Sequence, residues 1–154
     1  MYGSLYDGGM REIPNELLGY FNPNDFDNYP RVSIPQSFLD ERGEIINIAD
    51  GMLGDVAVIH SKINAVRANH VHESDWHLSY CLTGSLNYSY REGEKVQTIR
   101  IRAGELFFTP AGVPHRMDFM EDTALVVVSR NSRKKEKYEE DTRKYILNIE
   151  EINE

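Results

Sequence analysis

Three histidines lie within eight residues of one another, and their spacing suits a metal site. His70 and His72 belong to a segment with β-strand character, where alternate side chains project from one face about 6.5–7 Å apart. A turn-like stretch follows and would return His77 on the adjoining strand, and His115 occupies a similar setting further along. Imidazole nitrogens suit transition metals such as Zn, Fe and Ni. We therefore expect one divalent transition metal (Fe, Ni, Zn, Co or Mn), bound by His70, His72, His77 and His115.

The same histidines could instead be separate polar or catalytic groups with no metal between them. In that case His70 and His72 would be free for acid–base chemistry. The fifth histidine, His60, alternates with Val56 and Val58 on a predicted strand. We interpret it as a packed or surface residue.

Small and apolar residues near the histidines predict the rest of a substrate pocket. Ser79 and Cys81 alternate with His77 and would share its face, where their small size leaves room for a substrate. Cys81 is the single cysteine, so it cannot form an internal disulfide. Its expected role is a small buried residue, with thiol contact to the substrate or the metal as the alternative. Met117 and Phe119 alternate with the fourth histidine and would make the remaining wall apolar.

Strand-like segments dominate the chain from about Glu44 onward. Short runs rich in Val, Ile, Tyr and Thr, separated by turn residues, predict an all-β sandwich or barrel. The predicted strands cover residues 44–49, 55–61, 64–71, 77–83, 85–91, 95–102, 105–109, 114–120 and 123–129. Residues 132–142 are highly charged and favour a short helix with a solvated face, and residues 143–149 predict a last strand.

The first 36 residues differ in composition from the rest. Four glycines, four prolines and six aromatic residues alternate there, which disfavours long regular elements. Six aromatic side chains would be unfavourable in a free tail, so we expect an arm that lies on a surface, possibly that of a partner subunit. A partly ordered leader is the alternative. The predicted organisation is an irregular arm over residues 1–36 and a single β-barrel domain over residues 37–154.

The net charge of the chain limits the classes of molecule that it is expected to bind. Twenty-five acidic residues against 17 basic ones give a formal net charge of −8, which disfavours binding to nucleic acid or to an anionic membrane surface. The longest apolar run, residues 124–128, is far shorter than a membrane span. The N-terminus lacks the pattern of a secretory signal. We expect a cytoplasmic protein with a small-molecule substrate.

The two histidine segments resemble the two motifs of the cupin family. The first reads His70-Val71-His72, four residues, His77, six residues, Gly84. The second reads Gly104, five residues, Pro110-Ala111-Gly112, two residues, His115, three residues, Phe119. The resemblance implies a jelly-roll barrel, or double-stranded β-helix. Because His77 stands where the family has a glutamate, and Phe119 where it has an asparagine, four imidazoles would leave the full charge of a metal unneutralised.

A second resemblance concerns the substrate. The segment Asp40-Glu41-Arg42-Gly43 is similar to the opening of cupins that act on nucleotide sugars, the dTDP-4-dehydrorhamnose 3,5-epimerases and dTDP-sugar 3,4-ketoisomerases. In those families an arginine placed like Arg67, three residues before His70, contacts the substrate phosphate, and a guanidinium matches a phosphate in bidentate geometry. Residues 129–131 and 138–142 also resemble small cupins encoded with surface-polysaccharide enzymes. These resemblances imply an isomerase or epimerase of a sugar or nucleotide-linked sugar in surface-polysaccharide metabolism.

Three functions stay open at this point. In a metal-dependent isomerase the ion would polarise a carbonyl and the adjacent hydroxyl while a general base moves a proton. A histidine that binds the metal cannot also be that base, which leaves Tyr88, Tyr90 or Glu73 as candidates. An Fe(II)-dependent dioxygenase and a non-catalytic sugar-binding cupin are the alternatives. Cupins commonly pair, and the aromatic arm offers surface for pairing, so we expect a homodimer.

Overall fold

Two five-stranded antiparallel sheets form the body of the protein in a computed structural model, which describes residues 13–35 and 38–149. The strands are, in chain order, β1 (Arg31–Val32), β2 (Phe38–Asp40), β3 (Gly43–Ile45), β4 (Asp55–Ser61), β5 (Val66–His72), β6 (His77–Thr83), β7 (Ser85–Glu92), β8 (Lys95–Arg102), β9 (Leu106–Thr109), β10 (His115–Phe119), β11 (Thr123–Ser129) and β12 (Thr142–Lys144). One short helix, α1 (Lys135–Asp141), precedes β12, and two single 3-10 turns cover Asn15–Leu17 and Pro23–Phe26.

The strand order is that of a jelly roll. The first sheet has the order β1-β9-β6-β11-β4, the second has the order β12-β5-β10-β7-β8, and β2 pairs with β3 in a separate hairpin. Strands that follow one another along the chain often lie in opposite sheets, as β5 and β6 do. The predicted all-β jelly roll with a short C-terminal helix is therefore confirmed.

The space between the two sheets is filled by apolar side chains from alternate strand positions. Leu86 and Tyr88 of β7, Phe107 of β9, and Leu125 and Val127 of β11 are all buried there. These side chains form the apolar core on which the histidine end of the barrel rests.

A second apolar cluster lies on the outer face of the first sheet. Leu17, Phe21 and Phe26 of the N-terminal segment pack there against side chains of the sheet, which include Leu78 and Phe108. In addition, β1 pairs with β9 of the same chain. The described part of the aromatic arm thus lies on its own barrel. The division at residue 36 stays a prediction, since residues 36 and 37 fall outside the described part of the chain.

The predicted strands agree with the observed ones except near the two ends of the domain. The strand predicted over residues 44–49 ends at Ile45, and the last predicted strand, over 143–149, is limited to β12. Neither β1 nor β2 was predicted, because two or three residues are too few to show a period. Among the described residues, no helix is long and apolar enough to cross a membrane.

Gly84 makes the turn between β6 and β7. Its φ is +88°, and a Cβ built on it would overlap with Thr123 and with the backbone of Asp122. Only glycine fits such a position without displacing its neighbours. The glycine of the first histidine motif is thus a structural requirement of the barrel.

Candidate functional site

Four histidine rings gather at one end of the barrel. His70 and His72 come from the end of β5, while His77 and His115 begin β6 and β10. The ring centroid of His70 lies 4.5 Å from that of His72 and 4.7 Å from that of His115. His77 lies on the other side of His72, with ring centroids 4.6 Å apart.

Three of these imidazoles are placed to share one ion. One nitrogen each from His70, His72 and His115 lies within 4.8 Å of the other two. His77 falls in a different group, with His72 and Asp75. The structure therefore brings all four predicted ligands into one cluster, in which His77 stands apart from the three that converge.

The hydrogen bonds of the rings fit a metal. The Nδ1 of His115 lies 2.9 Å from the carbonyl oxygen of Val113, to which it donates when protonated, and this leaves Nε2 to coordinate. The Nδ1 of His72 lies 3.1 Å from the hydroxyl of Thr142. The Nε2 of His72 is fully buried and has no hydrogen-bond partner. A buried polar atom without a partner calls for an explanation, and a bound cation supplies one.

Burial also keeps these imidazoles in the form that binds metals. It lowers the pKa of His70 to about 4 and that of His72 to about 3, and the neighbouring His77 adds to both shifts. The pKa of His115 is likewise held well below its usual value by burial. Neutral rings at physiological pH present a lone pair without losing a proton first.

A carboxylate orients His77. Its Nε2 donates to Asp75 at 2.9 Å, and both side chains are buried. The other oxygen of Asp75 accepts from the backbone N–H of Asn131 at 2.9 Å. The pair leaves the Nδ1 of His77 as the nitrogen with a lone pair, as in a histidine that exchanges protons.

A β-bulge in β5 sets the direction of the side chains that line the cavity from this strand. Ala68 and Asn69 have φ values of +68° and +53°, and the register against β10 shifts there. Strict alternation would place Arg67 and His70 on opposite faces, yet both line the same cavity. The extra residue of the bulge reconciles the two positions, as bulges beside functional sites commonly do.

His70, His77 and His115 line a small cavity of about 140 Å³, and His72 lies behind them, outside its lining. Polar contributions come from His70, His77, His115, Ser79 and Thr109, and the apolar wall comes from Ile59, Phe107, Met117 and Val127. A larger open groove of about 810 Å³ lies elsewhere, between residues 27–34 and 104–106, and contains none of the histidines. The smaller cavity is the candidate site, because it contains the histidines.

The predicted substrate residues fall into two sets. Arg67, Ser79 and Met117 line the cavity. Cys81 and Phe119 point into the apolar core between the sheets instead, and the Cys81 thiol lies within hydrogen-bonding reach of the carbonyl oxygens of Thr83 and Gly84. The alternation of side chains along each strand predicted correctly that both residues face the interior of the barrel. Both lie further along their strands than the histidines, however, and so do not reach the cavity.

The predicted general bases lie at different distances from the cavity. Tyr88 is buried and hydrogen-bonds through its hydroxyl to the cavity residue Thr109 at 2.8 Å. Tyr90 stacks on Tyr88, with centroids 5.5 Å apart. Glu73 lies outside the cavity, where it forms an ion pair with Arg143.

The nucleotide-sugar motif folds as a tight turn. Asp40 ends β2 and Gly43 begins β3, and the guanidinium of Arg42 donates to the carboxylate of Asp40. Arg67 is held by the Ser61 hydroxyl at 2.7 Å and by the carbonyl oxygen of His60 at 3.1 Å. His60 itself is exposed on β4, as a surface histidine.

Two residues of the C-terminal segment line the cavity although sequence reasoning placed that segment in solvent. Arg133 and Tyr138 both face the histidines, and the Tyr138 ring lies 5.7 Å from that of His72 and 6.5 Å from that of His70. The alternating charges of residues 130–144 hid this, since they are typical of a solvated helix. A tyrosine among seven charged neighbours was the one available signal.

The observed jelly roll is the fold that the resemblance to the cupins implies. Residues 58–129 match the family of the cupin domain, so the resemblance seen in the sequence is confirmed. A comparison with curated proteins finds no match to the chain.

Solved structures of similar fold include sugar-modifying enzymes. The sugar 3,4-ketoisomerase QdtA from Thermoanaerobacterium thermosaccharolyticum, in complex with TDP, aligns with a TM-score of 0.59 and 19% identity over 71% of this chain and 82% of its own. A 3,4-ketoisomerase from Helicobacter canadensis aligns with a TM-score of 0.55 and 17% identity over 68% and 88%. The dTDP-4-dehydrorhamnose 3,5-epimerase from Sulfolobus tokodaii gives 0.57 and 14% over 71% and 73%. At such identities the likeness establishes the fold.

Proposed function

We propose that the protein is a metal-dependent isomerase or epimerase of a sugar or nucleotide-linked sugar in surface-polysaccharide metabolism. The observation that carries the metal is the convergence of His70, His72 and His115, in which one nitrogen of each ring lies within 4.8 Å of the other two. The buried, unpartnered Nε2 of His72 agrees with it. The sugar chemistry is supported by Arg67 at the cavity and by the sugar 3,4-ketoisomerases and 3,5-epimerases that share the fold.

His70, His72 and His115 would hold a divalent transition metal in this proposal. When bound, such an ion polarises a carbonyl and the adjacent hydroxyl of a sugar. This acidifies the C–H hydrogen on the carbon that carries the hydroxyl. Thr142 and Val113 fix the ring orientation of His72 and His115 through their Nδ1 atoms. The apolar wall, which includes Phe107 and Met117, excludes water from the reacting carbons.

His77 is placed to move the proton. Asp75 holds its Nε2, so Nδ1 is the nitrogen that can take a proton from a sugar carbon and return it to the neighbouring carbon on the same face. In an epimerase a second acid would have to protonate the opposite face. His77 lines the cavity, whereas Glu73 does not. In this proposal His77, which the sequence predicted as the fourth metal ligand, is the general base, and the other three histidines hold the metal.

Elemental analysis and proton exchange test the proposal together. Protein purified without chelators or an affinity metal should contain about one transition-metal ion per chain. Incubated in D₂O with a panel of sugars and nucleotide sugars that carry a carbonyl, it should incorporate deuterium next to the carbonyl of its substrate. Exchange that persists after chelation, with metal loss verified, would exclude the metal-dependent form of the reaction.

An Fe(II)-dependent dioxygenase is the second candidate. Three neutral imidazoles leave open positions on an Fe(II) ion for O₂ and a bidentate substrate, and the compact apolar wall suits a small substrate. Oxygen consumption separates the two reactions, because isomerisation consumes none. Ligand-induced thermal stabilisation without turnover would instead indicate a non-catalytic sugar-binding cupin.

A further inference from the structure

The C-terminal segment, residues 133–142, closes the histidine end of the barrel and supplies part of its wall. The carboxylate of Asp141 accepts from the backbone N–H groups of Ser74 and Asp75 at 2.8 and 3.0 Å. β12 then pairs with β5 directly beside His70 and His72. These contacts hold Arg133 and Tyr138 over the cavity. The segment lies beyond residues 58–129, so the match to the cupin domain does not account for it.

The charges around the cavity are one-sided. Arg67 and Arg133 line it, and no aspartate or glutamate is among its described lining residues. The protein as a whole carries a formal net charge of −8. Arginines in the wall of a cavity offer N–H donors and positive charge to anionic ligands, although the carboxylate of Asp55 beside Arg133 offsets part of that charge.

The position of Arg133 suits a ligand-binding role. Its Nε lies 3.2 Å from a carboxylate oxygen of Asp55, and its guanidinium carbon lies 5.8 Å from the centre of the Tyr138 ring. Asp55 engages one edge of the planar group, which leaves further N–H donors for a ligand. Burial raises the pKa of Tyr138, so the phenol stays neutral and does not repel an anion.

The size of the cavity limits what the anion is attached to. About 140 Å³ is well below the roughly 300 Å³ at which pockets begin to enclose a drug-sized ligand. The anionic group must therefore lie close to the atoms that reach the histidines.

We propose that Arg133 is a specificity-determining residue that selects a compact anionic sugar, one with a carboxylate or phosphate on the sugar itself or directly attached to it. The inference deepens the proposed function, on which it rests for the identity of the ligand as a sugar. Arg133 and Arg67 would face the anionic group, and Tyr138 would keep the guanidinium of Arg133 in place.

Binding of matched probes tests this inference. D-gluconate and D-sorbitol are similar polyols that differ in a carboxylate, and inorganic phosphate and TDP provide phosphate anions. Calorimetric titration at low ionic strength should give at least about tenfold tighter binding of one or more of the anions than of sorbitol. R133Q should remove that preference, whereas R143Q, which alters an exposed arginine of β12, should keep it.

The ion pair with Asp55 requires a second variant. R133Q leaves the Asp55 carboxylate without its partner, so D55N/R133Q removes both charges and should lose the preference in a well-folded protein. D55N alone should keep it. Equal affinity for sorbitol and all three anions, or an equal loss of preference in R133Q and R143Q, would overturn the inference.

Two further comparisons show where the anionic group lies on the ligand and whether the isomerase proposal holds. Tighter binding of gluconate than of TDP places the anion on the sugar, and the reverse order assigns it to an attached phosphate; either supports the subsite. The titrations are repeated on chelated protein, because arginine-dependent anion binding needs no metal. If the preference persists while the protein lacks metal and proton exchange, the subsite stands and the isomerase proposal fails.

Discussion

His72 occupies the centre of the histidine cluster, and its surroundings explain how the neighbouring rings divide their roles. Its Nδ1 is occupied by Thr142, and its Nε2 is buried without a hydrogen-bond partner. His77 lies beside it, but Asp75 engages the Nε2 of that ring. Three rings are therefore free to converge, while the fourth is held by a carboxylate.

Substitution of single histidines distinguishes these roles. H115A removes one of the three converging nitrogens, so we expect the protein to lose at least about 100-fold in metal affinity. H77A should keep about one metal ion per chain and lose deuterium exchange into the substrate. Elemental analysis after dialysis measures the first effect. Loss of the metal in H77A as well would show that His77 is a fourth ligand.

Cys81 should be chemically inert in the folded protein. Burial raises the pKa of its thiol to about 11, and Glu105 and Glu121 add to the shift. A raised pKa keeps the thiol protonated until the pH approaches 11, so about one molecule in a thousand carries a thiolate at pH 8. Iodoacetamide at pH 8 should label it at least about 100-fold more slowly in native protein than in urea. Equal rates would place the thiol at an accessible surface.

Residue types and spacing could identify the histidines because a strand has a fixed period of two. The period also places Ser79 and Met117 beside them, as observed. The period does not show how far a residue lies from the histidine end of its strand. It therefore could not distinguish Ser79, which lines the cavity, from Cys81, which lies in the core. Nor could it identify Asp75 as the partner of His77, since that contact depends on the turn before β6.

At the scale of elements, the bulge in β5 is the feature that the period could not predict. Two consecutive non-glycine residues with positive φ, Ala68 and Asn69, carry no sequence signal of their own. Their conformation is sustained by tertiary contacts, such as the hydrogen bond from the Tyr145 N–H to the carbonyl oxygen of Asn69 at 2.8 Å. The same contact lies where the predicted strand over residues 143–149 ends. Regular pairing with β5 stops at Lys144, opposite His70, and the next residue, Tyr145, bonds to the bulge instead.

The turns between strands tolerate change unequally. In G84A the new Cβ would overlap with Thr123 at a φ of +88°, so we expect a loss of about 3 kcal/mol or more in the free energy of unfolding. Gly93 has a φ of +62° with open space around it, so G93A should cost about 1 kcal/mol. Denaturant titration of both variants measures the difference. Similar losses would mean that φ alone determines the cost.

At the scale of the whole molecule, the described part of the N-terminal arm, residues 13–35, leaves part of the first sheet uncovered. Leu78 and Val128 are buried under the arm, but Val56, Val58 and Leu82 of the same outer face are more than half exposed. Their strands are neighbours, since Val126 pairs with Val58 on one side and with Tyr80 on the other. Contiguous apolar surface of this kind commonly marks an interface.

We propose that the protein is a homodimer that pairs through this uncovered face. Light scattering at micromolar concentration should give twice the mass of the chain. V58K introduces a charge into the face and should produce a monomer, whereas M52K, at a side chain that is 96% exposed elsewhere, should not. A wild-type monomer, or a V58K dimer, would exclude this mode of pairing.

The placement of β12 has a consequence for biosynthesis. This strand is translated after every other strand of the barrel, yet its Thr142 contacts His72 and its backbone completes the edge of β5. A nascent chain that still holds residues 133–144 inside the ribosome lacks this contact, so the Nδ1 of His72 gains its hydroxyl partner only when β12 pairs with β5.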